Sequence, residues 1–275
     1  MLHNKNAVIY GAGGSLGGAV ARALAAASAK IFLTGRNTGP VQKLSDEINA
    51  AGGQTEVHQV DALDEKAINE HLEMVVKKAG TVDISFDATG TDVVQNIPLV
   101  EMQVNDFISP VSYMLHTRFL TAVAAGKIMM KQGSGVILSL TATPGGIGYP
   151  YTGGFAPACR AIECLCTNLA SELGPYGVRV VNIRSGGSPD SNVFKEAIRS
   201  MPNEMKPILQ KMKDDTMLKE LPLMADIANA AVFLSSDYAA KITGVTLDVT
   251  GGTTAALNYR VNSDARSRDK QILAS

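Results

Sequence analysis

The sequence has almost no net charge and no charged tract. Its 275 residues contain 25 lysines and arginines against 26 aspartates and glutamates, a formal net charge of −1. Because both signs are spread through the chain, we expect neither a nucleic-acid partner nor a polybasic membrane anchor. The longest apolar helical stretch is interrupted by Arg22 and is too short for a bilayer, and the first residues contain no secretory leader. We therefore expect a cytoplasmic protein without a membrane partner.

Cysteine is scarce. The chain has three cysteines, and Cys159, Cys164 and Cys166 crowd into one predicted helix. Neighbouring helix positions point in different directions, and the spacing matches no zinc site. The sequence therefore predicts reduced thiols in the core and no metal site.

A glycine-rich turn lies near the N-terminus. Residues 7–18 read AVIYGAGGSLGG, a short apolar run that breaks into glycines and continues into an alanine-rich stretch. This pattern is typical of a strand, a tight turn and a helix that together bind a pyrophosphate, because glycines admit unusual backbone angles and helix N–H groups attract anions. A serine hydroxyl can also donate to a phosphate. The predicted phosphate-binding residues are Gly11, Gly13, Gly14, Ser15 and Leu16.

Strand-like and helical patterns alternate along almost the whole chain. This rhythm predicts an α/β fold: a single-domain, Rossmann-type, doubly wound parallel sheet of about seven strands with helices on both faces. The predicted strands are 7–10, 30–34, 55–59, 84–87, 135–139, 179–183 and 246–249. The predicted helices lie near 15–28, 40–51, 64–79, 106–132, 155–173 and 225–236.

Two stretches interrupt this rhythm. We assign residues 1–257 to the nucleotide-binding domain and residues 258–275 to a polar tail that is either disordered or packed on a neighbouring subunit. Residues 185–224 form a long segment between the sixth and seventh strands. It is interpreted either as a lid over the substrate or as an ordinary helical insertion.

Residues that follow the predicted strands complete the pocket, since ligands of such sheets lie beyond the carboxyl ends of the strands. Arg36 follows the second strand, where a guanidinium can bind the 2′-phosphate of NADP and no acidic residue is present to bind the 2′-hydroxyl of NAD. This favours NADP(H) over NAD(H), with a solvated surface arginine as the alternative. Asp61 follows the third strand and can accept from the adenine amino group. The other predicted cofactor contacts are Ala62, Ala88, Thr89 and Gly90.

Two segments of the C-terminal half resemble those of a known family. SELGPYGVRVVNI and ADIANAAVFLSSDYAAKITGVTLDVTGG are similar to the ELGPxGIRVN and closing EDIANAVxFLxSDxAxxITGxxLxVDGG segments of classical short-chain dehydrogenases/reductases. The resemblance covers residues 5–252. It implies the sheet described above, binding of NAD(P)(H) to act on a small-molecule substrate, and assembly into a homotetramer or homodimer.

The chain departs from this family at the catalytic positions. Family members use a Tyr as proton donor, a Lys four residues later, a Ser thirteen residues earlier and an Asn on the preceding long helix. The resemblance places Phe155, Cys159, Ala142 and Met114 at these positions. No Tyr in the sequence is followed by a Lys four residues later, so side chains do not support the usual carbonyl reduction.

Four other side chains are candidate proton donors at the mouth of the pocket, provided that they point inward. Thr141 adjoins Ala142, Tyr149 and Tyr151 lie in the loop GGIGYPYTGG, and His116 lies on the long helix. The alternative for the tyrosines is a role as pocket walls or interface aromatics. The alternative for His116 is a subunit contact.

Three functions fit these observations. The first is a noncanonical NADP(H)-dependent oxidoreductase whose substrate, such as an iminium or an activated carbonyl or alkene, needs no tyrosine. The second is a catalytically silent NADP(H)-binding sensor or structural subunit. The third is a non-redox enzyme that uses the apolar pocket.

Overall fold

The computed structural model describes residues 1–256, so the whole predicted tail, residues 258–275, lies outside the described residues. Its centre is a seven-stranded parallel sheet in the order β3-β2-β1-β4-β5-β6-β7. The order reverses direction between β1 and β4, which is where doubly wound sheets bind ligands. This confirms the predicted fold. The strands are β1 (Asn6–Tyr10), β2 (Lys30–Gly35), β3 (Gln54–Gln59), β4 (Ile84–Asp87), β5 (Gly135–Ala142), β6 (Val178–Ser185) and β7 (Thr246–Val249).

Helices cover both faces of the sheet. The helices are α1 (Ser15–Ala26), α2 (Thr38–Ala50), α3 (Glu65–Ala79), α4 (Val104–Gln132), α5 (Phe155–Leu173), α6 (Asn192–Ser200), α7 (Pro202–Asp215) and α8 (Met224–Ser235). Alternate residues of β1 show how the faces are divided, since Ile9 belongs to the apolar cluster of α1, α2 and α8, whereas Val8 and Tyr10 belong to that of α3, α4 and α5. Both faces of the central strands are therefore buried.

Local sequence explains several helix ends. The Asn37 side chain accepts a hydrogen bond from the Gly39 N–H at 3.0 Å and starts α2, and Asp64 accepts from Ala67 N–H at 3.0 Å and starts α3. Gly133 adopts a left-handed conformation at the end of α4. Each device satisfies backbone groups that a helix end leaves unpaired. The caps at Asn37 and Asp64 thus set where the loops that follow β2 and β3 end.

Strands β5 and β6 are longer than predicted. Three further pairs join them, Leu140 to Ile183, Thr141 to Arg184, and Ala142 to Ser185. The predicted strands ended too early because the pairs at the strand ends include polar side chains. A prediction from the apolar pattern places such residues in a loop. Buried hydrogen bonds satisfy those polar groups, as described below.

Residues 185–224 are largely helical, since they contain α6 and α7. This segment is therefore a helical insertion, and its role as a lid remains a prediction.

On α5, Cys159 and Cys166 are buried free thiols, as predicted, but Cys164 is exposed. The prediction of a core thiol is wrong for Cys164 because it lies on the side of α5 opposite the core.

No helix of residues 1–256 has the length and hydropathy needed to span a membrane.

Candidate functional site

The glycine turn after β1 is held by close backbone packing. Gly11 has φ = +73°, and a Cβ there would lie 2.9 Å from the backbone of Ala88 and Thr89. A Cβ on Gly17 would overlap the carbonyl oxygen of Gly11, so α1 packs directly on the turn. Gly13 and Gly14 do not have positive φ. Of the three glycines that can adopt such angles, only Gly11 does so, while Gly13 and Gly14 contribute the lack of a side chain next to an anion.

A cavity of about 180 Å³ lies at the carboxyl edge of β1, β2, β3 and β4. It brings together eight of the predicted contacts, which are Gly11, Gly14, Arg36, Asp61, Ala62, Ala88, Thr89 and Gly90. Gly13, Ser15 and Leu16 do not line it. Five lining residues were not predicted, namely Tyr10, Thr34, Gly35, Val60 and Tyr113. Most of them flank predicted residues, but Tyr113 comes from α4, and no local signal marks it.

Two charged side chains of this cavity, Arg36 and Asp61, have polar atoms free of partners among the described residues. Arg36 is exposed, and no carboxylate of residues 1–256 lies within 4.0 Å of its guanidinium. Asp61 accepts a hydrogen bond from the Leu63 N–H through Oδ1 at 3.0 Å. Its Oδ2 atom has no hydrogen bond to the described residues. An unpaired guanidinium and a carboxylate oxygen are therefore available to a ligand at this edge.

Ser15 has a hydrogen-bond partner that the sequence did not indicate, and its hydroxyl proton stays available for the predicted bond to a phosphate. Its Oγ atom accepts a hydrogen bond from the Asn192 N–H at 2.9 Å, which joins the first residues of α1 and α6. Neither helix has an acidic residue in its first turn. The Leu16 side chain packs against the core. Only its backbone N–H is therefore left to donate a hydrogen bond to a bound anion. The start of α6 thus lies beside the predicted phosphate turn.

A buried ion pair supports the residues after β4. Arg118 Nη1 lies 2.9 Å from Asp87 Oδ1, and the two side chains are only 4% and 5% exposed. Arg118 Nη1 also donates to the Thr89 hydroxyl at 2.6 Å, and that hydroxyl donates to Asp87 Oδ1 at 2.7 Å. Thr121 donates to the other Asp87 oxygen at 2.9 Å. This network fixes the turn at Ala88, and it orients the Thr89 hydroxyl towards the protein interior.

Neighbouring Tyr10 is fully buried against this network. Burial, together with the Asp87 carboxylate, raises the pKa of Tyr10 well above its usual value. The hydroxyl therefore keeps its proton at neutral pH. Tyr10 contributes an aromatic floor to the cavity rather than an acid.

The four residues that the sequence resemblance places at the family's catalytic positions are apolar and mostly covered. Met114 is 4% exposed and Cys159 is fully buried. Phe155 and Ala142 are partly buried and pack against the same apolar cluster. Burial raises the pKa of the Cys159 thiol to about 11, so the thiol is neutral at pH 7. These positions can exclude water, but they offer no acid, base or cation.

The alternative proton donors do not gather at the cavity. Thr141 is buried, and its hydroxyl donates to Glu163 Oε1 at 3.1 Å while accepting from Asn182 Nδ2 at 2.7 Å. The structure therefore corrects the expectation that Thr141 faces the mouth. His116 is exposed on α4, and Tyr149 and Tyr151 are 39% and 55% exposed. None of these side chains lines the nucleotide cavity.

A second buried ion pair lies beneath the turn that follows β5. Arg184 donates to Glu163 through Nε at 2.9 Å and Nη2 at 2.7 Å, and to Asp248 through Nη1 at 2.7 Å. A Cβ on Gly145 would overlap Glu163, and one on Gly146 would lie 2.8 Å from the Arg184 guanidinium. The pair thus joins α5, β6, β7 and the turn. The sequence pattern did not indicate it, because charged residues in a helix and a strand are usually exposed.

A larger groove of about 910 Å³ lies at the opposite, amino-terminal edge of the sheet, lined in part by His3, Lys5 and Arg22. Its size does not make it the nucleotide site. The glycine turn, the helix N-termini and the strand order all point to the carboxyl edge.

Comparison with known proteins agrees with this geometry. A family model described as enoyl-(acyl carrier protein) reductase matches residues 11–254. The chain belongs to the short-chain dehydrogenase/reductase family, which confirms the resemblance found in the sequence. Members of this family are oxidoreductases that use nicotinamide cofactors.

Two relatives and two solved structures illustrate the match. The chain is 29% identical to the 7alpha-hydroxysteroid dehydrogenase of Escherichia coli strain K12 over 94% of this chain and 97% of that protein. It is 28% identical to the D-beta-hydroxybutyrate dehydrogenase of Rhizobium meliloti, over 91% and 99%. Levodione reductase superposes with a TM-score of 0.85 at 25% identity, over 94% and 100%. NAD⁺-bound xylitol dehydrogenase, at 23% identity over 91% and 99%, shares the fold with a TM-score of 0.84.

Proposed function

We propose that this protein is an NADP(H)-dependent oxidoreductase that works without the family's tyrosine proton donor. The observation that carries the NADP(H) assignment is the Arg36 guanidinium at the cavity, which pairs with no carboxylate of residues 1–256, since a bidentate guanidinium suits a 2′-phosphate. Asp61 would accept from the adenine amino group, and the turn at Gly11 would hold the pyrophosphate. When bound, the cofactor supplies or accepts a hydride.

The chain's own residues limit the substrate. Phe155, Met114 and Ala142 can exclude water and hold an apolar molecule, but they cannot protonate a developing alkoxide. Losing a general acid costs a factor of roughly 10² to 10⁴ in rate. The substrates that fit best are therefore ones that accept a hydride without simultaneous protonation by a side chain, such as an iminium or an activated carbonyl or alkene.

A substrate panel tests this proposal. Purified protein is mixed with NADPH and matched iminium, enone and simple ketone substrates, and the loss of NADPH absorbance is followed. We expect turnover with iminium or enone substrates and little with simple ketones. Equal rates with simple ketones would contradict the account of the missing acid, and no turnover with any class would contradict the redox function.

A second candidate is an NADP(H)-binding protein without turnover, acting as a sensor or a structural subunit. The covered, uncharged side chains of Met114 and Cys159 favour it, because nothing there activates a substrate. Saturable NADPH binding without any reaction across the whole panel would distinguish this candidate from the first.

We also propose a homodimer or homotetramer in the cytoplasm. The family resemblance supports the assembly, and the lack of a membrane-spanning helix among residues 1–256 is compatible with the location. Sedimentation velocity of the purified chain tests the assembly, and a single monomeric species at micromolar concentration would contradict it.

A further inference from the structure

A small internal cavity lies where β5 meets the helices α4 and α5. Its volume is about 10 Å³, which is about the least that holds one water molecule. Arg118 from α4, Ser139 from β5 and Cys166 from α5 line it, and each of these residues is at most 6% exposed. Among residues 1–256, the cavity shares no lining residue with the nucleotide cavity. It is therefore a separate feature of the protein interior.

Two of the residues that line this internal cavity carry buried polar atoms without partners. Arg118 Nε and Ser139 Oγ form no hydrogen bond with any of residues 1–256. The guanidinium is held through Nη1, which donates to Asp87 Oδ1 at 2.9 Å and to the Thr89 hydroxyl at 2.6 Å. Native proteins pair the great majority of their buried polar atoms, because an unpaired one loses its hydrogen bonds to water without replacement. Both atoms therefore call for a partner within the cavity.

The charges around the internal cavity favour a neutral ligand. Arg118 and Asp87 both line it, and their opposite charges lie 2.9 Å apart. Burial raises the pKa of the Cys166 thiol to about 11, so the thiol is uncharged at pH 7. An anion would lose its hydration and be repelled by the Asp87 carboxylate. A water molecule needs no countercharge, and it can both accept from an N–H and bond to a hydroxyl.

We propose that the internal cavity binds one water molecule as a fixed part of the fold, held by Arg118 Nε and Ser139 Oγ. The water joins α4 to β5 and attaches the guanidinium at a point other than Nη1. Arg118 is thereby held where it donates to Thr89, a residue of the nucleotide cavity. The water site needs no cofactor, so a failure to bind or turn over NADPH contradicts the proposed function and leaves this proposal standing.

A crystal structure of the full chain, at a resolution that shows ordered waters, tests this proposal. We expect one peak of electron density about 2.7 to 3.2 Å from both Arg118 Nε and Ser139 Oγ. A cavity without density, or a direct hydrogen bond between the two side chains, overturns the proposal. A second crystal soaked in bromide distinguishes water from an anion, because bromide scatters anomalously. An anomalous peak in the cavity also overturns the proposal.

Two variants test the same proposal in solution. Ser139→Val replaces the hydroxyl by a methyl group and adds a second methyl group, so it should displace the water. Cys166→Ser keeps a small polar side chain in the lining and should retain the water. Magnetic relaxation dispersion of water measures the number of long-lived internal waters. We expect one fewer in Ser139→Val than in the wild type and no change in Cys166→Ser, and equal numbers in all three proteins overturn the proposal.

The folding of each variant is checked by circular dichroism and urea denaturation. If Ser139→Val does not fold, Ser139→Thr takes its place, since it keeps the hydroxyl and adds only one methyl group to fill the space. This variant should also have one long-lived water fewer than the wild type, and an unchanged number overturns the proposal. The crystal structure of the unmodified chain requires no substitution and decides the question by itself.

Discussion

Arg36 lines the nucleotide cavity, and none of the other lining residues among residues 1–256 carries a positive charge. If it binds the 2′-phosphate, Arg36→Ala removes a charged hydrogen bond of about 1.5 to 3 kcal/mol, which weakens NADPH about tenfold or more and spares NADH. Calorimetric titration of both cofactors measures this. An equal loss for the two cofactors would remove the case for NADP preference.

Gly17 is a second residue with a defined steric role. A methyl group there would overlap the Gly11 carbonyl, so Gly17→Ala must shift α1 from the turn at a cost of about 1 to 3 kcal/mol. Urea denaturation measures the free energy of unfolding. Gly18→Ala in the same helix is the control, since its nearest obstacle is the flexible Arg22 side chain at 3.2 Å. Equal destabilisation by the two variants would contradict the steric account.

At the scale of elements, the Asp87–Arg118 pair joins β4 to α4. Arg118→Met leaves a buried carboxylate without its cation and should cost about 3 to 5 kcal/mol in the free energy of unfolding. The double variant Asp87→Asn with Arg118→Met removes both charges and should recover most of this loss. Urea denaturation compares the three proteins. A double variant no more stable than Arg118→Met alone would show that the unpaired carboxylate does not cause the loss of stability.

A histidine pair joins β3 to α3 and sets an acid limit on stability. His58 and His71 have ring centroids 4.9 Å apart, and burial lowers both pKa values, that of His71 to about 4. The folded protein resists protonation while the unfolded chain takes up protons below about pH 6.5, so stability falls between about pH 6.5 and 4. The lowered pKa of His71 accounts for a loss of about 3 kcal/mol at most in the free energy of unfolding.

Urea denaturation at pH 7 and pH 4.5 measures this loss. His71→Leu should reduce the difference in unfolding free energy between the two pH values. His3→Gln, which changes an exposed histidine, should leave the difference unchanged. An unaltered difference in His71→Leu would contradict the assignment.

At the scale of the whole molecule, the sequence predicted the fold because its signals were local. Apolar runs, helix caps and the Gly11 turn each specify their own conformation, and the strand-helix rhythm leaves few topologies. Eight of the predicted cofactor contacts lie together for the same reason, since strand ends meet at one edge of a parallel sheet. The absence of a Tyr followed four residues later by a Lys is also read from residue identity alone. That the family's catalytic residues are lost stays a prediction.

What the sequence did not predict depends on contacts between distant residues. The partner of Arg118 is 31 residues away, that of Ser15 is 177 residues away, and Thr141 turns inward because Glu163 and Asn182 bind it. Tyr113 reaches the cavity from a helix that carries no nucleotide motif. Periodicity shows that a residue lies on a face, but not which polar group it meets there.

The most direct test of the account is calorimetric titration of the purified protein with NADPH and, separately, with NADH. We predict micromolar or tighter binding of NADPH and binding of NADH at least about tenfold weaker, because NADH lacks the 2′-phosphate that we propose Arg36 binds. Equal affinities, or tighter binding of NADH, would contradict the NADP(H) assignment. Absence of binding to either cofactor would contradict the nucleotide site itself.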